Sequence, residues 1–162
     1  RWVALESAAD VGPVAGAPLE IMFCLEHRIR VFVFQVLDER VEYLLLRHKP
    51  RAEWPLGPVV GPVTPGEKLE EAIRREVKAE TGLRRPVHLM ELMQPQKELF
   101  GDVGVVEWPF AWQAGTPADP VAQLQPGPMI GELQWLPFDA AFQHLELAAD
   151  RDALVRLQLS LQ

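Results

Sequence analysis

The sequence predicts a single mixed α/β domain. Three observations carry this: β-branched and aromatic runs on both sides of one amphipathic helical stretch, two further helical stretches at the C-terminal end, and no internal repeat. A length of 162 residues suffices for one domain with a sizeable core, and 48% hydrophobic with 24% charged residues is ordinary globular composition.

Taken in order, residues 1–20 are rich in Ala, Gly and Pro without a sustained period, and read as an extended arm anchored by Trp2 or as a loose terminus. The folded domain is expected over 21–162. "RIRVFVFQVL" (Arg28–Leu37) and "VEYLLLRH" (Val41–His48) are apolar enough for central strands, and "DER" (Asp38–Arg40) has the length of a hairpin connection. A Pro- and Gly-punctuated connection follows, with a short β-like piece around Val59–Val60. Thr64 is placed to cap the next helix, with Pro65 at its first position and Glu67 completing a capping box. Gly82 is the expected C-terminal breaker, so the helix should stop near Thr81. "PVHLMELM" (Pro86–Met93) and "VGVVEWPFAW" (Val103–Trp112) read as strands, with Pro109 implying a bulge or an edge. A long loop over 116–131 has the character of a rim over a site. A short strand at Leu133–Leu136 and helices at Asp139–Leu145 and Asp150–Leu161 close the chain.

Composition excludes several functions. A formal charge of -7 is unsuited to a sequence-independent grip on duplex nucleic acid, which sets Lys and Arg against phosphates. One cysteine, Cys24, excludes an internal disulfide and a thiolate zinc cluster, which fits a reducing, cytoplasmic setting. The four histidines are scattered along the chain, which argues against a zinc site. No apolar run approaches the roughly 20 residues of a membrane span, and no charged-then-apolar leader is present. The first residue is Arg1 rather than Met, which reads as a processed or trimmed start.

One helix is odd. Leu69, Ala72, Ile73 and Val77 recur at i, i+3, i+4 and i+8 as an apolar stripe, yet Glu76 falls inside it and Glu80 one turn further along. Unpaired carboxylates on a core-facing stripe cost about several kcal/mol each, and the two also repel. An Arg partner, a shared proton or a divalent cation would offset this. Arg75 lies roughly 100° away around the helix and cannot easily neutralise both. A cation between Glu76 and Glu80 answers the problem directly, since Mg²⁺ commonly takes a few carboxylates plus water and substrate phosphates.

Residues Gly61–Leu83, "GPVTPGEKLEEAIRREVKAETGL", resemble the Nudix box, G-x5-E-x7-R-E-U-x-E-E-x-G-U with U aliphatic. Gly61, Glu67, Arg75-Glu76-Val77, Glu80 and Gly82-Leu83 match, eight of nine specified positions. "YLLLRH" before the box and "GELQWLPFDAA" after it are similar to the flanking strand and the closing strand–helix of Nudix domains. The resemblance implies an α/β/α sandwich with a mixed β-sheet and its site on the loop–helix of the box. It implies Mg²⁺- or Mn²⁺-dependent hydrolysis of a nucleoside diphosphate linked to another group. Glu76 and Glu80 would be metal ligands, the Gly61 carbonyl another, and Glu67 and Arg75 would pair to orient the helix, which Gly82 ends.

The chain departs from the pattern at Ala79, which replaces the first glutamate of the E-E pair. Loss of a general base there is worth about 10²–10⁴-fold in rate; loss of a group that only helped hold an extra cation leaves a slower one-metal reaction. "WPLGPVVG" also differs from the usual small-Gly lead-in. Glu132 is the candidate general base or extra ligand, ahead of Asp102 and Glu107, against the reading of an exposed loop acid. Arg47, at a strand end, suits a substrate phosphate or is a surface charge. Trp112 or Trp108 is the candidate for stacking on a base, whereas Trp135 is expected to pack against the last helix. The first functional reading is a pyrophosphohydrolase acting on a nucleotide-like diphosphate. The second is a catalytically impaired Nudix-fold binding or assembly module, docking as a homodimer or on a protein partner through the arm of residues 1–20 or the Pro-rich loop.

Overall fold

A long parallel pair forms the centre of the molecule. In the computed structural model, which describes residues 24–50 and 53–162, β1 (Cys24–Val36) runs alongside β6 (Val103–Gly115), from Cys24 opposite Val103 to Gln35 opposite Gly115. The expected arm and Trp2 lie outside the described residues. β2 (Val41–His48) forms the expected hairpin with β1, but only from Val33–Leu44 to Val36–Val41; on its other edge it pairs with β7 (Ile130–Pro137) from Glu42 to His48. The half of β1 that β2 abandons is taken by β3 (Val59–Pro62), which sets Gly61 opposite Ile29. On its other edge β6 is shared by β5 (Gln96–Phe100) and β4 (His88–Glu91). The result is a seven-stranded mixed sheet.

Pro109 finds its place through this sharing. β5 pairs with Val103–Glu107 and β4 with Phe110–Gln113, so Trp108 and Pro109 fall between the two partners. A residue without an N–H is tolerated inside a long strand where no partner requires it, and neither the bulge nor the edge expected for Pro109 is needed.

α1 (Leu69–Thr81) covers one face of the sheet, burying Ala72, Ile73 and Val77 against Ile29, Val31, Leu44, Leu46 and Val59. α2 (Phe138–His144) and α3 (Ala148–Ser160) cover the other face, against Phe32, Phe34, Tyr43 and Leu45. This is the α/β/α sandwich. α3 is tied down by Arg30, whose guanidinium donates to both oxygens of Asp150, at 2.8 and 2.5 Å, and to Glu107 at 3.0 Å. Burial works against the charge on Arg30, but its two carboxylate partners outweigh burial and raise its pKa. Trp135 packs on the α1 side of the sheet, not against the last helix as expected, because it shares its strand face with Leu133 rather than with Leu136.

Candidate active site

The loop before α1 is built around Glu67. One of the two predicted box bonds forms: the Thr64 N–H donates to Glu67 Oε1 at 3.1 Å, but the Thr64 hydroxyl donates to that same oxygen instead of accepting from the Glu67 N–H, which goes to the Thr64 carbonyl. They close a turn rather than start the helix, because Gly66 adopts a left-handed φ of 83°. α1 therefore begins at Leu69, with the Lys68 N–H capped by Glu71. Glu67 instead receives Arg75, whose Nε and Nη2 donate to its two oxygens at 2.9 Å. The same guanidinium donates to the Pro62 carbonyl at 2.8 Å, stitching β3, the loop and α1 together. These bonds, Arg75 foremost, hold the Glu67 carboxyl down to about 2 from its ordinary 4.5.

Glu76 and Glu80 lie on one side of α1 at the margin of its buried stripe, their side chains 13% and 14% exposed. The carboxylate of Glu76 crosses Gly61: a Cβ added there would sit 2.2 Å from Glu76 Cδ. Each carboxylate has a basic neighbour. Arg75 Nη1 donates to Glu76 Oε1 at 2.5 Å, and His48 Nε2 lies 2.9 Å from Glu80 Oε1. Arg75 thus serves one of the two, as its position around the helix allows.

The long loop over 116–129 packs on the C-terminal end of α1. Gln125 N–H donates to the Thr81 carbonyl at 2.8 Å and Gly127 N–H to the Glu80 carbonyl at 3.2 Å. Gly127 approaches so closely that a Cβ would meet the Ala79 carbonyl oxygen at 2.2 Å. Gly82 ends the helix at φ 81°, its N–H donating to the Lys78 carbonyl. These bonds satisfy carbonyls that a helix end leaves open and fix the turn that carries Glu80. Ala79 itself faces solvent.

Three sequence expectations are corrected. Trp112 is fully buried in the α1-side core, so neither ring face is available for a base to stack on. Glu132 pairs across β2–β7 with Arg47, and Gln134 donates to its other oxygen. Strand alternation places Arg47 and Glu132 on the sheet face opposite α1, so the structure does not bring them to Glu76 and Glu80. Arg47 also donates to the Trp54 carbonyl at 2.6 Å, which leaves neither Arg47 nor Glu132 as a bare surface charge. His48, the last residue of β2, is a functional neighbour that the sequence does not single out. Its signal was available: Leu44, Leu46 and His48 share one face of β2, but continuous apolar residues on both faces hide the alternation.

These residues fit a divalent cation in an open site. Two carboxylates one turn apart, a glycine that admits one of them and a neighbouring imidazole are suitable donors. Among the described residues no group of three or more His, Cys, Asp or Glu is placed to hold a metal ion by itself, so water and substrate oxygens would have to complete the coordination. Beside the Glu67 clamp, Glu67, Lys68, Leu69, Leu89 and Phe110 line a groove of about 750 Å³. Among the described residues no helix is long and apolar enough to cross a membrane.

Comparison with known proteins follows the same lines. The family model described as NUDIX domain matches residues 26–158. A comparison with curated proteins gives no significant match. Among solved structures, a Listeria monocytogenes protein assigned to the NUDIX hydrolases superposes with a TM-score of 0.69 at 20% identity, covering 83% of this chain and 93% of that one. A C. elegans Ap4A hydrolase gives 0.65 at 18% identity, covering 84% and 97%. The E. coli dihydroneopterin triphosphate pyrophosphohydrolase gives 0.63 at 22% identity, covering 79% and 91%. Identities this low speak to the fold, but the family match spans most of the chain, and the protein belongs to the NUDIX domain family, whose hydrolases act on phosphoric anhydride bonds.

Proposed function

We propose that the protein is a divalent-cation-dependent pyrophosphohydrolase acting on a nucleotide-like diphosphate. The observation that carries this reading is the pair Glu76 and Glu80 on one side of α1, with Glu76 laid across Gly61. Glu76 and Glu80 would hold the ion, Mg²⁺ or Mn²⁺, with the Gly61 carbonyl as a further donor. When bound, such an ion polarises pyrophosphate oxygens and lowers the pKa of a water. Glu67 and Arg75 fix the angle of α1 to its loop, and the loop over 116–129 fixes the far end of the same helix. Positioning of this kind is what phosphoryl transfer asks of a protein. The groove beside Glu67 offers Phe110 and Leu89 as apolar surface for the organic part of the substrate, in the role Trp112 is too buried to fill.

Ala79 favours a second reading, a binding module with impaired catalysis, because position 79 faces solvent and contributes no carboxylate. A hydrolysis panel separates the two. Nucleotide sugars, ADP-ribose, nucleoside triphosphates and dinucleoside polyphosphates are offered with Mg²⁺ and Mn²⁺ to the native chain, Ala79→Glu and Glu80→Gln. The expected result is turnover in the native chain, a rise in Ala79→Glu of up to about 10²-fold, and loss in Glu80→Gln. Absence of turnover in all three favours the binding module.

A further inference from the structure

His48 stands outside the box pattern, yet it is the side chain that meets Glu80. It ends β2, which pairs with β1 only as far as Leu44 and with β7 as far as His48 opposite Ile130. Its Nε2 is 2.9 Å from Glu80 Oε1, and its side chain remains 39% exposed, open to solvent and to a ligand. One residue before Glu80, Ala79 supplies no donor.

We propose that His48 Nε2 is a direct ligand of the cation held at Glu80, replacing from the neighbouring strand a donor that position 79 does not provide. This rests on the cation reading of Glu76 and Glu80 given above. The spacing supports it. In an octahedral site with bonds of about 2.0–2.1 Å, adjacent ligands stand about 2.9 Å apart. Nε2 and Oε1 have that separation as a hydrogen-bonded pair, so the two atoms that would share the ion are already neighbours. Glu76 keeps its place across Gly61, its Oε1 accepting from Arg75 Nη1. A nitrogen donor in place of a carboxylate has a chemical consequence: it removes a negative charge and favours transition metals over Mg²⁺. The rival arrangement, in which His48 only hydrogen-bonds to Glu80, makes it a positioning residue with no bond to the metal.

Electron spin echo envelope modulation of Mn²⁺ bound to the full chain, with the metal alone as probe, separates these. Direct ligation predicts ¹⁴N modulation from a bound imidazole in the native chain. The modulation is absent in His48→Ala and His48→Gln, and Mn²⁺ affinity falls roughly tenfold or more in both. His48→Gln retains a side chain of similar reach, so a loss there is not a failure to fold. Mn²⁺ bound with no ¹⁴N modulation, or with native affinity in His48→Ala, overturns the His48 proposal and leaves the cation reading intact. A native chain that binds no Mn²⁺ overturns the cation reading itself.

Discussion

The Glu76 carboxylate lies across the α-carbon of Gly61, so close that a methyl group there would meet Cδ at 2.2 Å and Cγ and Oε1 at 2.6 Å. Glycine is required at 61 for that approach and not for an unusual φ. Gly61→Ala is therefore expected to leave the sheet in place and push Glu76 off its position. A displacement of about 1 Å is worth roughly 10²-fold in a positioned reaction. Turnover measured beside circular dichroism checks this: a folded, fully active Gly61→Ala contradicts the role given to Glu76.

The pairing of Glu67 with Arg75 makes stability depend on pH in a defined window. A carboxyl held at about 2 against an ordinary 4.5 stabilises the fold fully above pH 4.5, and the stabilisation is lost as pH falls toward 2. The gain is modest, because the Arg75 side chain is 41% exposed and solvent screens the pair. Chemical denaturation of the native chain and Glu67→Gln should give curves separated at pH 6 that converge as pH approaches 2. A gap unchanged down to pH 2 contradicts the pairing.

Arg30 is the buried cation that docks α3 on the sheet, and removing a partner leaves its charge undercompensated. Asp150→Asn is expected to destabilise by about 3 kcal/mol, the lower end for breaking a buried pair, since Glu107 remains beside Arg30. Urea unfolding measures it. A change below about 0.5 kcal/mol would place the triad among surface ion pairs.

Much of this was legible in the sequence, and the misses have particular causes. β2 is found at its predicted bounds and α1 ends where Gly82 predicts, because hydrophobic runs and glycine punctuation are local signals. β5 carries no local signal: "QKELF" is polar, and only its pairing with β6 across Gly101 makes it a strand. The capping residues were recognised but placed one turn early, since Gly66 and the demand of Arg75 on Glu67 redirect them. The Nudix box named Glu67, Arg75, Glu76 and Glu80 as a group, and the structure assembles them in one loop–helix. Glu132, Arg47, Trp112 and His48 depend on which face of a strand each occupies. In strands buried on both faces that alternation does not show in the sequence.

The central claim is a divalent ion shared by Glu76 and Glu80, and equilibrium binding tests it most directly. Titration of Mg²⁺ and Mn²⁺ into the native chain, with a non-hydrolysable nucleotide present, is predicted to show saturable binding by millimolar concentration. The same titration of Glu76→Gln and Glu80→Gln should show it weakened by at least tenfold. Absence of binding in the native chain at those concentrations, or equal binding in both variants, contradicts the account.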